Sequence, residues 1–573
     1  MRCKGNPVSE GLGIGEVYSY RTMEFTVSSS PISREQVGQN LAEYYRIKEK
    51  AAAELKAIID QLQREQPDKA LIFMAHQEIL DDEAIDEKIR HEITENLSNP
   101  TWAIYTVYEE FGQLLKNMKK QVFRERAQDI LDVRNRLLRV ANGIIAPNLN
   151  SLDKPVVIAA HDLLPSDTAT LDRSKVVAII TETGGETSHS AIIARSYGIP
   201  ALLGIPGLMN KVKDGDRVVV DALDGELIID PTEEELAEYA AKRERYLKWA
   251  TDTEAYLGKK AVTKDGVSLE VGLNIGTVEE SRVKQAAYAD FIGLFRTEFL
   301  YLSSPELPTE EEQYETYKQV LETFQRPVVL RTLDIGGDKN VPCLALPKED
   351  NPFLGVRGLR LCFDRPEIFQ TQLRAALRAS AHGDLSLMLP MVTNLDDIYQ
   401  AKELINTVRQ EMEEAGIPMA PKIKVGIMVE VPSVALIADL VAKEVDFVSI
   451  GTNDLCQYTL AVDRQNQRMA DYYQSYHPAL FRLIGYATKH FLAAGKPVSV
   501  CGELGGDPLA VPVLIGLGVR RFSMNPSSIA KVKRVITHLT IDHAQELADQ
   551  VQTLATAGQV KRFLERELKD YIC

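Results

Sequence analysis

From residue 260 onward, eight short β-rich runs alternate with helical stretches: SLEVGLN, DFIGLF, PVVLRTLD, LSLMLPMV, KVGIMVE, DFVSIG, VSVCGE and RRFSM. Strands joined by helical crossovers lie parallel, and eight such units within about 310 residues match a (β/α)8 barrel. Barrel enzymes build their sites at the carboxyl ends of the strands. Reactive groups stand there in this chain: Asn274 closes the first run, Arg296 follows the second and Arg331 ends the third. Glu430 ends the fifth, Asn453 and Asp454 the sixth, and Cys501 the seventh.

The front of the chain follows a different rhythm. Val37, Leu41, Tyr44, Leu55, Ile58, Ile59 and Leu62 recur at three- and four-residue spacing behind a capping box of Ser33 with Gln36, which predicts a long helix ending before Pro67. ALIFMAHQEIL continues the helical pattern, an acidic DDEAIDE follows, and a further helical tract runs from Asn99-Pro100 towards Asn142. Strand-like runs flank this module: GLGIGEVYSY before it, and Lys154 to Ala160, Lys175 to Thr181 and Asp216 to Val220 after it, with a helix from about Ser188 to Tyr197. The pattern predicts a small α/β domain, residues 1–25 and 146–230, interrupted by a helical domain at 26–145. Thr232 and Glu235 open a charged connector helix, so 231–259 is expected to link to a barrel at 260–573.

At 573 residues the chain is too long for one ordinary domain. Every apolar run is interrupted before the roughly 18 residues of a membrane span, and no secretory leader is recognisable, which predicts a cytoplasmic protein. A formal charge of -16 without a Lys/Arg run argues against nucleic acid as a partner. The six cysteines are scattered without a C-x-x-C, which suggests neither a disulfide framework nor a zinc knuckle.

Two constellations bear chemistry. At the barrel mouth, Glu430 and Asp454 suit an oxygen-loving cation such as Mg2+, while Arg296, Arg331, Arg357, Arg360 and Arg464 suit a dense anion. Glu430 alone reads equally as an ion-pair partner, and Cys501 is either an inert buried thiol or a proton donor. The second constellation is TETGGETSHSAIIAR, where two glycines precede Thr187 and Ser188 and place His189 in the first turn of a helix. Unpaired N–H groups and the helix dipole there would stabilise a phosphoryl group carried by His189.

With these residues in view, GGETSHSAIIAR, FRTEFL, RTLDIGGDK, NPFLGVRGLR, VEVPS, SIGTNDLCQYTLAVDRQN and CGELGGDP resemble, in order, the signature stretches of the enzyme I family, the phosphoenolpyruvate-protein phosphotransferases. The related dikinases and synthases share GG-x-TSH but carry a nucleotide-grasp domain for which this chain has neither room nor a Walker-type loop. The resemblance implies a multidomain α/β protein: a phosphohistidine-carrying swivelling domain with an inserted α-helical bundle, then a TIM-type barrel that binds phosphoenolpyruvate and dimerises. It implies that His189 is the phosphorylated nucleophile with Thr168 near its ring, and that Arg296, Arg331, Asn453, Asp454 and Arg464 hold phosphoenolpyruvate. Glu430 and Asp454 would bind Mg2+, Cys501 would protonate the departing enolpyruvate, and the helical insertion would dock the phosphocarrier HPr. Many members have a basic residue in place of Glu186, and Ser190 replaces a commoner Thr, which leaves room for a specialised HPr-like acceptor in a regulatory pathway. The remaining rivals are a Mg2+-dependent lyase or aldolase acting on pyruvate, and a signalling platform read through its phosphorylation state.

Overall fold

The computed structural model describes residues 1–573 except 21–26, 66, 117–120, 144–148, 150–151, 164–170, 172, 185–187, 303–305, 338–340, 345, 348, 470, 570 and 572–573. The chain divides into two units, 1–248 and 249–573.

In the first unit, strands β1 (Arg2–Lys4), β2 (Asn6–Ser9), β3 (Leu12–Tyr20), β4 (Val156–Ala160), β5 (Val176–Thr181), β6 (Ala201–Leu203), β7 (Arg217–Asp221) and β8 (Glu226–Ile229) form one sheet in the order β1-β8-β7-β3-β4-β5-β6-β2. The centre, β3 to β6, is parallel, and the outer strands pair antiparallel. Every residue of β4 is buried, as expected of a central strand covered on both faces. Alternate side chains serve two cores: Val156, Ile158 and Ala160 pack with Ile179 and Ala191, whereas Val157 and Ala159 pack with Ile180, Leu202 and Val218.

Although β3 and β4 are neighbours in the sheet, helices Val37–Glu65, Pro67–Leu80, Glu83–Thr94, Pro100–Lys116 and Gln121–Ala141 lie between them in the chain. Those helices close on their own core, with Leu55, Phe73, Ile89, Ile104, Tyr108 and Leu137 buried in it. The acidic DDEAIDE, not read as helix from the sequence, opens one of them. Asp82 caps it by accepting from Ala84 N at 2.9 Å and Ile85 N at 3.1 Å, and Ile85, Ile89 and Ile93 form its buried stripe.

The connector helix Glu233–Glu254 is more than a spacer at its start. Leu236 and Tyr239 pack on Leu12, Val219 and Ile228, and Lys242 pairs with the fully buried Asp221 and, at 2.6 Å, with Asp224. The boundary between the two units falls within this helix.

In the second unit, β9 (Glu270–Ile275), β10 (Ile292–Arg296), β11 (Val328–Arg331), β12 (Leu385–Leu389), β13 (Lys424–Val429), β14 (Val448–Ile450), β15 (Val498–Val500) and β16 (Arg521–Met524) form a closed barrel, every pairing parallel. The eight runs singled out in the sequence each contain one of these strands, apart from the last residue of β9 and of β10. Leu294, Val329, Met388, Met428, Phe447 and Cys501 fill the barrel as an inner cluster. Two strands depend on glycine in the same way. A Cβ on Gly272 would stand 2.6 Å from Phe291 O, and one on Gly426 would stand 2.5 Å from Phe447 O. Among the described residues, no helix is long and apolar enough to cross a membrane.

Candidate active site

The carboxyl ends of β11, β13 and β14 bring together a set of charges that is almost wholly withdrawn from water. Arg331, the last residue of β11, is 7% exposed, and it donates from Nη2 to Glu298 Oε1 at 2.6 Å while Nη1 stands 3.0 Å from Asp334 Oδ2. Arg357 is buried as well. Its Nη2 donates to both oxygens of Asp334 at 3.1 Å and to Asp454 Oδ2 at 3.2 Å. Arg464 Nη2 reaches Asp454 Oδ1 at 3.4 Å from a more exposed position. Burial by itself would weaken the charge on Arg331, yet Glu298, Asp334 and Glu430 reverse this and raise its proton affinity.

Glu430 follows β13 and is 1% exposed. Its Oε1 accepts from Met391 N at 2.7 Å, and Met391 adopts a left-handed backbone, φ 56°, to make that approach. Gly451 faces the other oxygen, and a Cβ there would stand 3.0 Å from Oε2. Burial, reinforced by the negative charges of Asp334 and Asp454, pushes the Glu430 carboxyl up to about 8 against the opposing pull of Arg331 and Arg357.

Further residues at the strand ends complete the rim. Asn453 is braced by Glu503, donating from Nδ2 to Oε1 at 3.0 Å and accepting from Glu503 N at 2.9 Å, which leaves one Nδ2 hydrogen for a ligand. Cys501 is 3% exposed, with Sγ 3.7 Å from Ile450 O, and burial pushes its thiol up to about 11. A thiol of that kind is protonated at neutral pH and can give a proton but is a poor nucleophile. Asn274 donates to Cys501 O at 2.8 Å and so braces that turn. Arg296 is half-buried at the end of β10. Arg360, grouped with the rim arginines in the sequence, is instead exposed and donates to Leu354 O and Gly355 O at 3.0 and 3.1 Å, an anchor for its own loop.

Glu298 and Asp334 went unremarked in the sequence. The signal for them was present: an arginine closing an apolar strand needs a buried counter-charge, and FRTEFL and RTLD each hold a carboxylate close to their arginine.

In the other unit, His189 is the first residue of the helix His189–Tyr197. Ser188 caps this helix, its Oγ accepting from Ala191 N at 3.3 Å, and Gly198 ends it with φ 63°. Gly184, at φ 105°, passes so close to Ser188 that a Cβ would stand 3.2 Å from its Oγ. The buried Ser190 donates to Asp162 Oδ1 at 3.3 Å, so its hydroxyl is engaged internally. Thr168 and Glu186 lie outside the described residues.

A chain whose barrel gathers guanidiniums and carboxylates at its strand ends, and whose second α/β sheet carries a capped helix beginning at histidine, belongs with the enzymes that use phosphoenolpyruvate. Three models of such enzymes match it in order: the N-terminal domain over residues 4–126, the mobile domain over 152–225 and the PEP-binding domain over 251–541. More narrowly, the chain belongs to the phosphoenolpyruvate-protein phosphotransferase family, and it is an enzyme that moves the phosphoryl group of phosphoenolpyruvate to protein. It is 43% identical over 564 residues to the phosphoenolpyruvate-protein phosphotransferase of Bacillus sp. (strain S), covering 98% of this chain and 97% of the relative. The Geobacillus stearothermophilus protein of that name is also 43% identical with the same coverage, and that of Bacillus subtilis (strain 168) is 40% identical over 576 residues, covering 99% of each.

Proposed function

We propose that the barrel binds phosphoenolpyruvate with Mg2+, that His189 takes its phosphoryl group, and that the phosphohistidine passes it to HPr or a closely similar phosphocarrier, the first step of sugar uptake by a phosphotransferase system. The observation that carries this reading is a buried donor without an acceptor: Arg331 Nε lies inside the rim and has no hydrogen-bond partner among the described residues. A buried unpaired donor of that kind is costly until an anion satisfies it. Asn453, Arg296 and Arg464 supply further donors around the same rim.

The donor set also fits Mg2+. Glu430, Asp334 and Asp454 are close enough for their charges to raise the Glu430 carboxyl, and Asp454 Oδ1 accepts no hydrogen bond among the described residues. Those described residues contain no ready cage of three or more His, Cys, Asp or Glu. Two carboxylates, Glu430 and Asp454, with water and substrate oxygens in the remaining positions, suit a cation that seldom takes an all-protein cage. When bound, Mg2+ would screen the phosphate and carboxylate charge of the substrate.

Arg296, Arg331, Asn453 and Arg464 would hold phosphoenolpyruvate. The neutral His189 ring attacks phosphorus with its lone pair, a P–N bond forms, and the bond from phosphorus to the enol oxygen breaks with its electron pair on that oxygen. The enolate then collapses to the ketone as C3 takes the Cys501 proton, giving pyruvate. We infer self-association through the barrel unit, which would cover exposed apolar residues such as Leu354 and Leu436.

The deciding experiment is incubation of the chain with 32P-labelled phosphoenolpyruvate and Mg2+. The expected result is acid-labile, alkali-stable label on the peptide containing His189, chased onto HPr in step with pyruvate release. Label that never appears on that peptide refutes the reading, and label that no HPr removes refutes the acceptor.

The raised Glu430 carboxyl makes a separate prediction. The proton must leave for a cation to bind, so Mg2+ binding at pH 7 should be accompanied by net proton release. Titration calorimetry in two buffers of different ionisation enthalpy measures this. Mg2+ affinity should rise with pH until about 8 and then level off. For the metal-free barrel the sign is opposite: stability contributed by protonated Glu430 is full below the ordinary carboxylate range and is lost as pH rises through about 8.

A further inference from the structure

We propose that Asp334 is a positioning residue for phosphoryl transfer, the shared anchor that sets the guanidinium of Arg331 and, through Arg357, the carboxylate of Asp454. The inference rests on the proposed function of the rim. Asp334 lies three residues beyond the end of β11, is 2% exposed, and stands between two arginines that come from different parts of the chain. Its Oδ2 is 3.0 Å from Arg331 Nη1, and both its oxygens accept from Arg357 Nη2 at 3.1 Å. The same Arg357 nitrogen donates to Asp454 Oδ2 at 3.2 Å, so one carboxylate governs, at one remove, the oxygen pair offered by Asp454.

The loop carrying Arg357 is built to reach Asp334. Gly358 N donates to Ile335 O at 3.0 Å, and Gly358 takes φ 56°. A Cβ there would stand 2.9 Å from Met391 Cγ and 3.2 Å from Asp334 Oδ1, so a side chain would press on both the Glu430 brace and the anchor. A guanidinium is a planar fork. Held by carboxylates at both Nη atoms, Arg331 keeps one orientation, with its buried Nε left without a hydrogen-bond partner among the described residues. Asp454 is fixed by the same logic: Oδ2 is taken by Arg357, and Oδ1, which accepts no hydrogen bond among the described residues, stands 3.4 Å from Arg464 Nη2.

Asp334 therefore belongs to neither the substrate nor the metal ligands but conditions both, and this distinguishes it from a residue that serves only the fold. Asp334→Asn keeps the shape and removes the charge. In the full chain it should raise the KM for phosphoenolpyruvate and the apparent Mg2+ constant together, each about 10-fold, with kcat at saturation of both kept within about threefold. Asp334→Glu, which restores the charge on a longer arm, should recover part of both losses. The melting temperature of each variant shows that the measured protein is folded, and if D334N does not fold, the D334E constants decide by the same criterion.

Folded D334N whose two constants both stay within twofold of the parent overturns the inference. So does a fall in melting temperature with both constants unchanged. A parent chain that binds neither phosphoenolpyruvate nor Mg2+ overturns the proposed function itself, an outcome separate from an unaffected variant beside a competent parent.

Discussion

Replacing His189 with alanine is expected to abolish phosphotransfer, a loss of about four orders of magnitude or more, while phosphoenolpyruvate affinity stays within about twofold of the parent. Removal of the sole proposed acceptor nitrogen leaves positioning groups with nothing to position. His189 belongs to the first unit and the rim residues Arg331, Glu430 and Asp454 to the second, so the variant separates chemistry from binding. Calorimetric binding of phosphoenolpyruvate with Mg2+, run beside 32P transfer, measures both. Loss of binding together with transfer would place the imidazole among the ligands of the ground state, and retention of transfer would move the acceptor elsewhere.

Arg357→Leu should produce the largest loss of stability. Arg357 is a buried partner of two buried carboxylates, and an apolar side chain of similar bulk would leave Asp334 with Arg331 alone and Asp454 with the more exposed Arg464, in a cluster where Glu430 already resists ionisation. Breaking a buried pair from one side costs about 3–5 kcal/mol, more than the pair itself contributes against a fully apolar replacement. The expected readout is a shift of that size in the urea unfolding transition of the barrel unit at pH 7. The shift should shrink as pH falls and the stranded carboxylates take up protons. A change below about 1 kcal/mol would mean that water reaches Asp334 and Asp454 far more than their burial indicates.

The barrel was legible because it is made of local signals. Each strand is a short run rich in β-branched and other apolar residues bounded by turn or charge, and the unit repeats until the sheet can close on itself. Strands β1, β2, β6 and β8, of three or four residues each, are too short to show a period in the sequence. The helix Glu83–Thr94 was hidden by its charge, although isoleucines four apart and an aspartate cap were both present.

The rim was legible as a composition but not as a circuit. Position at strand ends selected Arg331, Glu430, Asp454 and Cys501, since a charge or thiol following a buried strand has few places to go. Whether such an arginine waits for a ligand or is held by a carboxylate depends on residues far apart in the chain, as Arg357 and Asp454 are. Spacing therefore groups Arg360, which serves its own loop, with Arg331, which is buried against Glu298 and Asp334. The αL backbone of Met391 is likewise a tertiary consequence, imposed by the need to deliver an N–H to Glu430.

The long excursion between β3 and β4 bears on how the molecule assembles. If the intervening 135 or so residues were slack, pairing those two strands would require a closure entropy of about 4 kcal/mol. A helical body that has already condensed on Leu55, Ile89 and Tyr108 shortens the effective tether and relieves much of that penalty. Nascent chains should therefore organise the α-helical part before the α/β sheet of the same unit, and a lesion in the bundle would surface first as slow maturation of a sheet it does not belong to.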